Sequence, residues 1–148
     1  ASMARAGRQM TAVATLLLAF AATWLGGCAS AGTAKQGDAL QTAQYAWSAA
    51  IRWGDFEGAL NLVDPRYREA HPITALELQR YEQIRISSYR EGASRAGESE
   101  MQRDVQIGVV NRHNMAERTV RYTERWRYDP VAKAWWIADG LPNLWAGE

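Results

Sequence analysis

Between Glu117 and Tyr128 the chain alternates. Val120, Tyr122, Trp126 and Tyr128 fall on one side, and Arg121, Thr123, Arg125 and Arg127 on the other. A period of two is that of a strand with one buried and one wet face. Before Arg80 the period is different. Leu40, Ala43, Trp47, Ala50 and Ile51 recur at helical spacing, with Gln41, Gln44, Ser48 and Arg52 mostly opposite them. This change of period constrains the fold most. Helices first and an antiparallel meander afterwards make an α+β domain, with the helices laid on one sheet face. A chain of 148 residues has room for one such core.

The punctuation refines the plan. Asp38 is placed to cap the first helix and Gly54 to end it. Asp55 caps a second helix with Phe56, Ala59, Leu60 and Val63 as its stripe, and Asp64-Pro65 stops it. Thr74 starts a short third helix through about Gln79. Strands are predicted at Tyr81–Arg90, Gln102–Val110, Glu117–Tyr128 and Lys133–Ala138. Gly92–Glu100 reads as a mobile polar loop, and Gly140, Pro142 and Gly147 mark a loose C-terminal end. The expectation is two to three helices on a curved antiparallel sheet of about four strands.

The first residues read as an address. Arg5 and Arg8 precede an uncharged run from Thr11 to Leu25. That run suits a signal peptide and is short of the ~20 residues a spanning helix needs. Leu25-Gly26-Gly27-Cys28 closes it with the only cysteine of the chain, so no disulfide forms within it. The four residues closely resemble the lipobox of bacterial lipoproteins. The resemblance implies that residues 1–27 are removed, that the Cys28 thiol is acylated, and that the acyl chains hold the protein on a membrane. Ala29, in place of the aspartate that retains such proteins at the inner membrane, implies the periplasmic face of the outer membrane of a Gram-negative cell. The alternative is an ordinary signal peptide or anchor with an incidental cysteine. Residues 28–37 are expected as the lipidated cysteine and a flexible tether of roughly 15–18 Å, and residues 38–148 as one periplasmic domain.

Two stretches, "WGDFEGALNLVDP" and "RWRYDPVAKAWWIADG", resemble the nuclear transport factor 2-like superfamily, also called cystatin-like or SnoaL-like, in content and order. The resemblance spans about residues 38–140 and implies a cone between helices and curved sheet. That group holds isomerases, cyclases and non-catalytic binding modules, so fold does not settle function. Its ketosteroid-isomerase-like members need a base and a neutral donor pair in an apolar pocket. No catalytic residue carries over from them.

Charge excludes one class of function. Setting Arg5 and Arg8 aside takes the 17 basic residues to 15, against 16 acidic ones. A near-neutral domain is no polyanion binder, and an envelope address argues further against nucleic acid. His71 and His113 lie apart, in turns, without metal-ligand spacing. Asp55 is explained by its capping role. No nucleophile elbow, phosphate loop, Cys-x-x-Cys or His-Glu-x-x-His motif occurs. No cofactor and no metal are expected.

Glu124 breaks the apolar side of its strand. One reading makes it a desolvated carboxylate in the cone, acting as a base or holding a ligand with Tyr122 and Trp126. The other pairs it with an arginine. Arg121, Arg125 and Arg127 form either a solvated face or a contact for a partner, an anionic lipid or lipopolysaccharide. Trp135 and Trp136 point opposite ways, so one of them, with Trp145, is a candidate partner anchor. The expected function is a non-catalytic binding or adaptor module of an envelope protein complex. The alternative is a small-ligand binder or SnoaL-like enzyme with Glu124 inside an open cavity of ~300 Å³ or more.

Overall fold

The computed structural model describes residues 25–146, with side chains from residue 32. The expected signal peptide falls outside the described residues up to position 24, and the Cys28 side chain does so too. The chain divides into two compact units, Ala1–Asp38 and Ala39–Glu148. No helix among the described residues is long and apolar enough to cross a membrane.

Helix α1 is Leu25–Trp53. It is longer than its capping signal suggested, because positions 28–37, read as a tether, are helical. Ala29, Ala31, Ala34, Lys35 and Gln36 are strong helix formers, and their preference outweighs Gly32 and Gly37 at about 1 kcal/mol each. From Ala39 on, α1 carries Trp47 and Ile51, both fully buried. Gly54, at φ +73°, turns the chain out of the helix. Asp55 then caps α2, Phe56–Leu60, by accepting from the Gly58 amide at 2.8 Å. α3 is Pro65–Ala70, capped by Asp64, and α4 is Ala75–Tyr81, opened by a capping box between Thr74 and Glu77.

The second helix was expected to reach Val63 and stops at Leu60. Val63 instead forms a parallel bridge with Ile137. The Asp64 amide donates to the Ile137 carbonyl and the Ile137 amide to that of Leu62, each at 2.8 Å. Three backbone residues thus cover the edge of the last strand, which a continued helix could not do.

Four strands form one antiparallel sheet in the order β1-β2-β3-β4: Ile84–Ala96, Glu100–Asn111, Glu117–Asp129 and Ala134–Ile137. The predicted loop Gly92–Glu100 is corrected to a tight turn. Pairing runs on through Ser94↔Arg103 and Ala96↔Met101, and Arg95 grips Asp104 with two bonds of 2.9 and 3.0 Å. Those residues have little strand preference of their own; the register and the ion pair extend the hairpin. β1 bulges twice, between Ile86 and Ser88 and between Glu91 and Ser94. Two of its carbonyls are taken by arginines: Tyr89 accepts from Arg52, and Ile84 from Arg112, each at 3.1 Å.

The core lies between the helices and one sheet face. Ile84, Ile86, Val105, Ile107, Val109, Val120, Trp126 and Ile137 meet Trp47, Ile51, Phe56, Ala59 and Val63 there. Trp47 meets Trp126 edge-on, with centroids 6.2 Å apart. The C-terminal segment, expected to be loose, is pinned to this core. Leu144 is fully buried, Tyr81 donates to the Pro142 carbonyl at 2.9 Å, and Arg118 donates to the carbonyl of Leu144.

Candidate functional site

The inward face of the sheet carries one ionic cluster. Glu124 is fully buried, on the same side of β3 as Val120 and Trp126, as its parity required. Directly across on β2 stands Arg103. Its Nε lies 2.5 Å from Oε2 and its Nη2 3.0 Å from Oε1, a two-point clamp. The Trp126 indole N–H donates to the same carboxylate at 3.3 Å. Arg103 reaches outward to Glu91 at 3.6 Å. Burial pushes the Glu124 carboxyl up, and the Arg103 pair pulls it back.

Two phenols complete the cluster. The Tyr89 hydroxyl accepts from the Trp47 indole N–H at 3.1 Å. Burial raises its pKa strongly, and the nearby Glu124 charge adds to that. The Tyr122 hydroxyl is buried without a hydrogen-bond partner, and burial raises it well above the usual phenol value. Neither phenol ionises near neutral pH. A clamped carboxylate and two protonated phenols hold structure, and no free base emerges among them.

Open clefts lie around this interior, and Glu124 lines none of the three described next. One, about 830 Å³, runs between α2, α3 and α4 and the segment after β4, walled by Leu60, Tyr67, Ile73, Leu78 and Leu141. A second, about 510 Å³, lies beside Trp53, Phe56 and Arg112. The third, about 690 Å³, lies at β1–β3 and is bordered by Arg90, Gln106, Arg121 and Thr123.

The residues singled out in the sequence scatter around the domain. Trp126 is in the core beside Glu124, and Tyr122 is half-buried above it. Of the two adjacent tryptophans, Trp135 is the buried one and Trp136 is half-buried on the outer face. Trp145 is half-covered: its ring meets Tyr81 edge-on at 4.8 Å, and the Arg80 guanidinium sits 4.2 Å above it. Arg127 pairs with the buried Asp64 at 2.8 Å, and Arg125 with Asp139 at 3.8 Å. Arg121 is exposed, and among the described residues no carboxylate pairs with it. His71 stacks on Tyr67 at 4.4 Å, and His113 lies in the β2–β3 turn. No group of metal-ligating side chains occurs among the described residues. Arg103, the residue that decides the state of Glu124, escaped the sequence reading. The β2–β3 register was the signal for it, and that register depends on the length of the Asn111–Ala116 turn.

No family model matches the chain, and no curated protein does. Among solved structures, a SEC-C motif containing protein from Rhodopseudomonas palustris aligns with a TM-score of 0.51 at 16% identity, over 64% of this chain and 71% of that one. At that identity the likeness is one of fold. A protein of the nuclear transport factor 2-like family from Streptomyces avermitilis aligns at 0.45 and 13% identity, over 72% of this chain and 94% of that one, too loosely to argue from.

Proposed function

We propose that this chain is a lipoprotein held on the periplasmic face of the outer membrane by an acylated Cys28, and that its α+β domain is a non-catalytic binding module for an envelope protein partner. We read the domain as one of the nuclear transport factor 2-like kind. The supporting observation is the fully buried, doubly clamped Glu124. The carboxylate that an enzyme or small-ligand reading requires is neutralised by Arg103 and reached by none of the clefts described. Trp126 donates to that carboxylate and packs edge-on against Trp47. The binding function then falls to the surface, where Arg121, Trp136 and Trp145 are the accessible candidates. The lipobox resemblance supports the address.

The test is an affinity pull-down of the natively expressed protein from crosslinked envelopes, with Cys28→Ala as control. One partner recovered in near-equal amount, and lost with Trp136→Ala or with the anchor, supports the module. Metabolic labelling with palmitate reads the anchor separately. Cys28→Ala protein that is processed and sediments with membranes as before would end the lipoprotein reading.

A further inference from the structure

On the outer face of the sheet three side chains form a row across three strands. Arg90 on β1 is the register partner of Gln106 on β2, and Gln106 is that of Arg121 on β3. Register partners project from the same side of a sheet, and all three are exposed. The two arginine Cα atoms are separated by two strand spacings, about 10 Å. Arginine side chains are long enough to lean together over the glutamine between them.

The row is unusual for its charge. Asp104 is held by Arg95 at 2.9 Å and by the Thr123 hydroxyl at 3.0 Å. Glu91 and Glu124 share Arg103. Arg125 and Arg127 have Asp139 and Asp64. Each of these carboxylates is therefore already engaged by an arginine, Glu91 and Glu124 by the same one. Arg90 and Arg121 are left facing one another across Gln106 with no carboxylate bonded to either among the described residues. They border the 690 Å³ cleft, which Glu91, Gly92 and Asp104 also line. A Cβ on Gly92 would lie 3.2 Å from the Asp104 carbonyl oxygen. Like charges brought together on one sheet face cost stability. Two guanidinium forks and a carboxamide N–H₂ are the donor set for a tetrahedral oxyanion.

We propose that the Arg90–Gln106–Arg121 row binds a phosphate group. The two guanidiniums clamp its oxygens from either side, and the Gln106 amide donates from below. The chemistry is shared by a free phosphate ester and a phospholipid headgroup. The site does not depend on the Cys28 anchor. It shares Arg121 with the proposed partner surface, and Arg90→Gln and Gln106→Ala, which lie outside that surface, test it separately from the partner.

The test uses the full chain and two probes. Inorganic phosphate is titrated while the arginine Nε–H resonances are followed, and vesicles of phosphatidylglycerol or phosphatidylcholine are tested by co-sedimentation. Arg90→Gln, Arg121→Gln and Gln106→Ala are compared with Arg66→Gln, an exposed arginine on α3. Saturable phosphate shifts weakened tenfold or more by Arg90→Gln and by Arg121→Gln, with Arg66→Gln unchanged, are expected. If phosphatidylglycerol vesicles bind with that same variant dependence, the source is the lipid headgroup. If phosphate binds and vesicles do not, it is a soluble phosphate ester. Neither probe binding, or Arg66→Gln weakening binding as much as the row variants, overturns the site. So does a dimer that Arg121→Gln dissociates in the absence of phosphate binding, because the row would then be a contact between copies.

Discussion

The ring of Tyr67 lies on the backbone of Gly140. A Cβ built at Gly140 would come 2.7 Å from the Tyr67 Cε1 atom, and the glycine has φ +84°. Either condition alone selects glycine. Gly140→Ala is therefore expected to destabilise the domain by about 1–3 kcal/mol in urea unfolding. The same substitution in a Tyr67→Leu background should cost less, because the steric part is relieved while the backbone strain remains. Equal losses in both backgrounds would show that the ring yields freely.

The Arg103–Glu124 clamp predicts an asymmetry. Arg103→Met leaves a buried carboxylate without its cation and should cost about 3–5 kcal/mol. Replacing both, with Glu124→Leu added, should recover most of that loss, because two charges no longer need desolvation. A double-mutant cycle by chemical denaturation measures it. A double variant as unstable as Arg103→Met alone would mean that packing, and not charge, accounts for the loss.

Asp104 makes acid stability pH-dependent. The hydrogen bond from Arg95, then that from Thr123, lowers its pKa to about 2. The unfolded carboxyl titrates near about 3.9. The contribution is complete above the unfolded value and is lost as pH falls from there through about 2. Asp104→Asn should flatten the stability profile in that window and leave its shape at neutral pH unchanged.

Tyr81 does the same at the alkaline end. Burial pushes its hydroxyl up to about 12, and in the folded chain that hydroxyl donates to Pro142. The folded state keeps a proton that the unfolded state releases near about 10. Stability should fall between pH 10 and 12, and Tyr81→Phe should remove that part of the fall. A Tyr81→Phe chain with an unaltered alkaline profile would assign the loss to another group.

Thr74 tests the local helix code. Its hydroxyl accepts from the Glu77 amide at 3.1 Å, and the Glu77 carboxylate accepts from the Thr74 amide at 2.8 Å. Thr74→Ala should cost about 1 kcal/mol, and Thr74→Ser much less. Thermal melts of the two variants make the comparison.

What was legible in the chain follows the range of the interaction. Asp55 and Gly54 act within one helical turn, and both behave as their sequence context required. The inward orientation of Glu124 followed from parity along a single strand. The partner of Glu124 did not, since Arg103 lies on another strand and meets it through register. The pairing of Ser94 and Arg95 was hidden for the same reason: their neighbours look like a loop until Arg103 and Gln102 are placed opposite and Asp104 within reach of Arg95. Val63 was assigned to a helix because its spacing fits one, and only contact with Ile137 draws it out. Asp64 and Asp139 likewise become partners of Arg127 and Arg125 by tertiary proximity alone.

The free edge of β1 has a consequence for the protein in a crowded compartment. A thirteen-residue edge strand is a template on which another chain could add a strand of its own. Here the two bulges break the even spacing of its amides, and Arg52 and Arg112 already occupy the Tyr89 and Ile84 carbonyls. An incoming strand would have to strip both arginines and would still find its ladder out of step. The sheet is closed to growth at that end by side chains, as Val63 closes it at the other, so the domain can be held at high local density without polymerising through its edges.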